Sequence, residues 1–156
     1  MAFLNTLFDF MIDVVNKHQG IVNKFLGDGF MAVFGAPIDD AERCAHAVDA
    51  SLEILKRLDR LNAVGKIHPT RVRIGLHMGE VVTENVGSTD RKGYTIIGDV
   101  VNMASRLEQA TKDFQARLLI SEAVRRSLDA AMSGIEDLAP VALKGQPNPA
   151  RVFKVA

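Results

Sequence analysis

The stretch Ile21-Val-Asn-Lys-Phe-Leu-Gly-Asp-Gly-Phe-Met-Ala-Val-Phe-Gly-Ala-Pro37 decides how this chain is read. Two short runs rich in Val, Ile, Leu and Phe flank Gly27-Asp28-Gly29, which predicts strand, tight turn, strand: a β-hairpin with a carboxylate at its tip. Glycines on both sides of Asp28 remove Cβ bulk and permit positive φ, so the acid can approach a metal ion or a phosphate closely. Asp-Gly is also a common turn with no chemistry attached. The flanking sequence has to decide between the two.

Before the hairpin, Leu4, Leu7, Phe8, Met11, Ile12 and Val15 recur at spacings of three and four. They predict a helix running to His18, with Gly20 as its terminator. No capping residue precedes Phe3, and a helix followed by a hairpin lacks the opening strand of a βαββ unit, so the expectation is that the first strand is missing from this sequence. After the hairpin, Asp39 and Glu42 are spaced as a capping box. Cys44, Val48, Leu52, Leu55 and Leu58 then form the apolar face of a long helix ending near residues 62–65.

From Arg71 the period changes to two: Val72, Ile74, Leu76 and Met78 alternate with Arg71, Arg73, Gly75 and His77, and Gly79-Glu80 predicts a turn into a strand over 81–86. His77 falls on the polar side with no second ligand at metal spacing, as a solvated or structural histidine does. A short strand over 93–97 leads to a helix over 99–111, whose Val100, Met103, Ala104 and Leu107 face inward. On its polar side Asn102 and Arg106 stand four apart, hence on one face near the N-terminus. An amide and a guanidinium so placed can hold a hydroxyl and a polyphosphate, although a plain solvated face has the same spacing. A strand over 117–120, a Ser121-capped helix from 122 to about 128 and two terminal strands around a loop carrying Lys144 complete the chain.

With 156 residues, 47% of them apolar, the chain is the length of one domain with a sizeable core. Nineteen basic and nineteen acidic side chains balance, which gives no global field toward nucleic acid or an anionic membrane. Any anion site is therefore a local cluster. A single cysteine excludes an internal disulfide, and with no signal peptide or transmembrane run a cytoplasmic location is expected, for this domain or a membrane-anchored parent. The element order predicts an α+β, ferredoxin-like (βαββαβ-derived) sandwich, a single domain over 1–156, with a mainly antiparallel sheet and helices on one face.

Lys24 to Pro37, then Gly75-Leu-His-Met-Gly-Glu-Val-Val, Tyr94-Thr-Ile-Ile-Gly-Asp-Val-Val-Asn-Met-Ala-Ser-Arg-Leu-Glu and Leu143-Lys-Gly, in that order, resemble the catalytic domain of a class III nucleotidyl cyclase. The resemblance implies a homodimer with active sites at the subunit interface. It would convert ATP to 3′,5′-cyclic AMP and pyrophosphate with two Mg2+ or Mn2+ ions, and it would be fused to regulatory domains in a longer protein, without nucleic acid or direct membrane contact. By the same resemblance Asp28 is a metal carboxylate, Lys24 the lysine that reads adenine and Thr95 the residue that completes base recognition, as in a bacterial subgroup with threonine there. Asn102 positions the ribose, Arg106 stabilises charge on the reacting phosphate and Lys144 grips the terminal phosphates. Asp28 is expected to serve the site opposite the one served by Lys24, Thr95, Asn102 and Arg106 of the same chain. An ammonium satisfies the N1 acceptor of adenine, whereas the N1–H of guanine would leave two donors facing each other.

The family's first metal carboxylate belongs to a Phe-x-Asp strand ahead of the first helix, and this sequence starts beyond that point. Asp9 and Asp13 are helical surface charges and do not replace it. Residues 1–156 by themselves are therefore expected to show little or no activity. The alternative the sequence leaves open is a degenerate cyclase-like module for dimerisation or nucleotide sensing.

Overall fold

A computed structural model describes the backbone of residues 2–65, 67, 69–80, 82–86 and 93–156, and the side chains of 6–65, 67, 69–80 and 98–156. The architecture is α+β, and the chain divides into two compact units, Met1–Val72 and Arg73–Ala156.

The first unit contains α1 (Ala2–Lys17), β1 (Gly20–Leu26), β2 (Gly29–Phe34) and α2 (Arg43–Ala63). Leu7, Met11, Val14 and Val15 of α1 are buried against Ala50, Ile54 and Leu58 of α2, and Val22, Phe30, Ala32 and Phe34 of the hairpin pack on that cluster. The buried residues of α2 run Cys44, Ala47, Val48, Ala50, Ser51, Ile54, Leu55, Leu58. Leu52, expected inward, is 37% exposed. Two successive four-residue steps from Cys44 each drift about 40° around a helix of 3.6 residues per turn, which carries position 52 off the face.

The end of α1 and the start of α2 close differently from expectation, whereas α2 ends at Ala63, within the expected 62–65. Gln19, at φ 72, takes the left-handed position after α1. Gly20 opens β1 instead, because a Cβ there would lie 2.5 Å from Phe34 Cε2. At the start of α2, Glu42 caps without a side-chain bond. Asp40, two residues earlier, accepts the Glu42 N–H at Oδ1 (2.9 Å) and holds His46 Nδ1 at Oδ2 (2.6 Å). An aspartate closes such a turn onto the backbone two residues on, so Asp40 does the capping expected of Asp39, which stands 91% exposed. The His46 bond holds the Asp40 carboxyl below its ordinary range.

The second unit contains β3 (Ile74–Leu76), β4 (Val82–Val86), β5 (Gly93–Ile97), α3 (Asp99–Ala110), a 3-10 turn (Thr111–Phe114), β6 (Leu118–Ser121), α4 (Glu122–Arg126), β7 (Glu136–Val141) and β8 (Ala150–Lys154). A four-stranded sheet runs in the order β3-β6-β8-β7, and β4 and β5 form a separate antiparallel pair. The expected hairpin from β3 into β4 does not form: β3 pairs in parallel with β6, Ile74 opposite Leu118, and β4 pairs with β5. In β6 Leu118, Leu119 and Ile120 are fully buried, the continuous apolar run of a central strand, and the short β3 docks on it. Leu107 and Ala110 of α3, Ala116, Leu119, Leu143 and Val152 form the core of this unit.

Ser121 caps α4 as expected, its Oγ accepting the Val124 N–H at 3.4 Å. The same hydroxyl lies 2.8 Å from His77 Nδ1. Burial lowers the pKa of His77 and so favours the neutral ring, whose Nδ1 shares a hydrogen bond with the Ser121 hydroxyl. His77 thus fastens the end of β3 to the start of α4.

Candidate active site

In the first unit the hairpin closes at the pair Leu26 and Gly29, leaving Gly27 and Asp28 as a two-residue loop. Gly27 has φ +60 with nothing within 4 Å of a Cβ placed there, so it supplies backbone conformation rather than room. Gly29 is an ordinary residue of β2. The carboxylate of Asp28 is left exposed at the tip.

Lys24 owes its direction to an irregularity in β1. Val22 pairs with Ala32 and Lys24 with Met31, so Asn23 is an extra residue in β1. Val22 packs on the core, and the Phe25 ring meets those of Phe8 at 5.6 Å and Phe30 at 6.4 Å. The register puts Val22 and Phe25, three apart with one residue bulged between them, on one face of the hairpin, although Phe25 itself is 56% exposed, and it turns Lys24 to the other face, where it is exposed. On a regular strand Lys24 would share the face of Val22. The apolar pair Val22 and Phe25 at a spacing of three was the available signal.

In the second unit α3 carries Asn102, exposed, and Arg106, half-buried, one helical turn apart. The helix sits unusually close to β3: a Cβ at Gly75 would lie 2.5 Å from the Glu108 nitrogen and 2.6 Å from the Ala104 oxygen. Gly79 meets Val100 in the same way, its Cβ position 2.7 Å from Cγ2. These contacts fix the height of α3, and with it both polar side chains.

Lys144 occupies a turn in which the Gln146 N–H donates to the Leu143 oxygen at 3.0 Å and Gly145 has φ +82, as at the third position of a type II turn. Leu143 is 5% exposed and anchors the turn in the core that also holds Leu107. The Arg106 guanidinium lies against Gly145, its Nη2 3.1 Å from a Cβ placed there. The structure thus brings Arg106 to the Lys144 turn, with Lys144 exposed beside it. Among the described residues the ion pairs of this unit engage Arg73, Arg126 and Arg151, not Arg106 or Lys144. Two cations at one turn could together attract a multiply charged anion. The backbone of Thr95 lies opposite Glu84 in the β4–β5 pair, and its side chain lies outside the described residues.

Among the described residues no group of three or more His, Cys, Asp or Glu could hold a metal ion, and no helix is long and apolar enough to cross a membrane.

A family model for the adenylate and guanylate cyclase catalytic domain matches residues 1–155. Adenylate cyclase 1 of Rhizobium meliloti is 37% identical over 127 residues, 80% of this chain and 19% of that protein. The adenylyl cyclase CyaB from P. aeruginosa superposes with a TM-score of 0.84 at 28% identity, over 99% of this chain and 81% of that one. The guanylyl cyclase Cya2 gives 0.80 at 30% identity, over 99% and 79%. The chain spans about a fifth of the length of most curated relatives it matches, and 7% of one of them.

Proposed function

Because the chain belongs to the adenylate and guanylate cyclase catalytic-domain family, we propose that the full-length protein of which it is the catalytic domain converts ATP to 3′,5′-cyclic AMP and pyrophosphate as a homodimer. The ribose 3′-oxygen forms a bond to the α-phosphorus and loses its proton to solvent, while the bond from that phosphorus to the departing pyrophosphate breaks.

The observation that carries this reading is the pair of cations at the Leu143–Gln146 turn, Arg106 and Lys144, with Asn102 one turn away on the same helix. Lys144 holds the terminal phosphates. Arg106 donates to the phosphate oxygens on which charge builds, an interaction that strengthens in the transition state, and the Asn102 amide orients the ribose. Lys24, turned outward at the bulge, donates to adenine N1, and the Thr95 hydroxyl accepts from the adenine amino group.

Asp28 fits a magnesium or manganese ion as one of the carboxylates that hold such an ion together with substrate phosphates. A bound divalent ion would draw charge from the phosphate oxygens. On a glycine loop, free of neighbouring side-chain bulk, the carboxylate is accessible to such an ion.

The test is a competition assay of the full-length protein with equal ATP and GTP in magnesium or manganese. Cyclic AMP and pyrophosphate should form in excess over cyclic GMP. An equal or inverted ratio overturns the base assignment, and the absence of any cyclic nucleotide overturns the reaction.

A further inference from the structure

Among the described residues six glycines have positive φ, and at Gly145 the backbone demand coincides with a side chain of the proposed site. A Cβ at Gly145 would stand 3.1 Å from Arg106 Nη2, 3.5 Å from Nε and 3.6 Å from Cζ, so the guanidinium lies across the open side of the glycine. The nearest of these is closer than ordinary van der Waals contact, and a real methyl group would push the guanidinium away by a few tenths of an ångström. Gly134, in the same unit, has φ +81 and nothing within 4 Å. The two glycines carry the same backbone demand and differ in the presence of Arg106.

From this contrast we infer that Gly145 is a positioning residue, whose missing side chain seats Arg106 beside Lys144 so that both cations meet one polyphosphate. Arg106 is anchored at its other end by Leu107, fully buried, and Lys144 by Leu143 in the same core. Gly145 is the contact through which helix and turn set the spacing of the two charges. The inference rests on the reading of Arg106 as a phosphate partner. It does not require that cyclisation follow.

The test is binding of inorganic triphosphate to the full-length protein, followed by calorimetry beside the thermal midpoint. Gly145→Ala should weaken binding about fivefold, the order expected when a charge-assisted contact is displaced by less than an ångström. Gly145→Asn, which tolerates positive φ better but projects more bulk toward Arg106, should weaken it further while melting closer to the unchanged protein. Gly134→Ala should lower the midpoint as Gly145→Ala does and leave the affinity within twofold. In an Arg106→Ala background, Gly145→Ala should add no further loss, because the group it displaces is gone. Equal affinities for Gly145→Ala and Gly134→Ala, or additive losses in the double variant, overturn the inference. No effect of Arg106→Ala on triphosphate binding overturns it together with the phosphate role of Arg106. Triphosphate binding that follows the expected pattern in a protein that makes no cyclic nucleotide leaves the inference standing and removes the cyclase reaction.

Discussion

In the unit Met1–Val72 the chemistry-bearing side chains stand on a local element, with Lys24 and Asp28 four residues apart on one hairpin and both exposed. In the unit Arg73–Ala156 they are assembled from a distance, since Arg106 on α3 meets Gly145 in the turn between β7 and β8. A hairpin tip depends on its own turn and register. A helix set against a distant turn depends on the core beneath it. The first unit should therefore tolerate core damage with its tip chemistry intact, whereas damage in the second should reach the anion site.

The largest effect that would break this contrast is a core truncation. Leu107→Ala, next to Arg106 and fully buried, should cost about 2–5 kcal/mol and weaken triphosphate binding at the same time. Ile54→Ala in the first unit should cost a similar amount without altering triphosphate affinity. Chemical denaturation paired with calorimetry reads both. A loss of triphosphate affinity in Ile54→Ala would erase the distinction.

Next in size is Arg106→Ala, which should lower the turnover of the full-length protein by roughly 10²–10³, the scale of removing one donor that stabilises transition-state charge. KM for ATP should change less than kcat. Lys24→Glu should act on the choice of base instead, cutting the preference for ATP over GTP by about 1–3 kcal/mol, the cost of leaving a partly dry polar group unpaired. An unchanged ratio of the two kcat/KM values removes Lys24 from base recognition.

How much of this was legible in the sequence follows the same division. The Gly27-Asp28 hairpin, the α2 helix and the Ser121 cap are local, and their residues announce them. The pairing of β3 was not legible, because a period-two stretch followed by Gly79-Glu80 fits a hairpin as well as a parallel strand. Its partner, Leu118 to Ile120, lies beyond a whole helix. The Asn23 bulge was half legible: the apolar spacing of Val22 and Phe25 pointed to it, while the alternation around it pointed to a regular strand. Asn102 and Arg106 could be placed on one helix face from their spacing, but nothing in the sequence brings Arg106 to Gly145. That contact joins a helix and a turn whose neighbouring residues Leu107 and Leu143 share a core.

The smallest expected effects sharpen the comparison through pH. In the first unit Glu53 accepts hydrogen bonds from His18 (3.0 Å) and Lys17 (2.9 Å), which hold its carboxyl down at about 2 against an ordinary 4.5. Its folded value is depressed, so its contribution is complete above about 4.5 and is lost as pH falls from there toward about 2. His77 in the second unit is depressed below its ordinary 6.5 by burial, so the folded state resists a proton the unfolded chain accepts. That contribution is complete above 6.5 and declines as pH falls below it. Thermal unfolding across pH should show the His77→Gln variant flattened in the upper window and Glu53→Gln in the lower. The reverse assignment would contradict these causes.

Mixing two impaired full-length variants, Asp28→Ala and Arg106→Ala, tests most directly the claim that the hairpin tip of one copy and the helix–turn cations of another act on one ATP. A mixed dimer keeps one site with both groups intact, so cyclic AMP formation should rise on mixing far above the residual rate of either variant alone. If the mixture stays at the residual rate while mixed dimers are shown to form, the groups do not act on one nucleotide from two copies, and the account is contradicted.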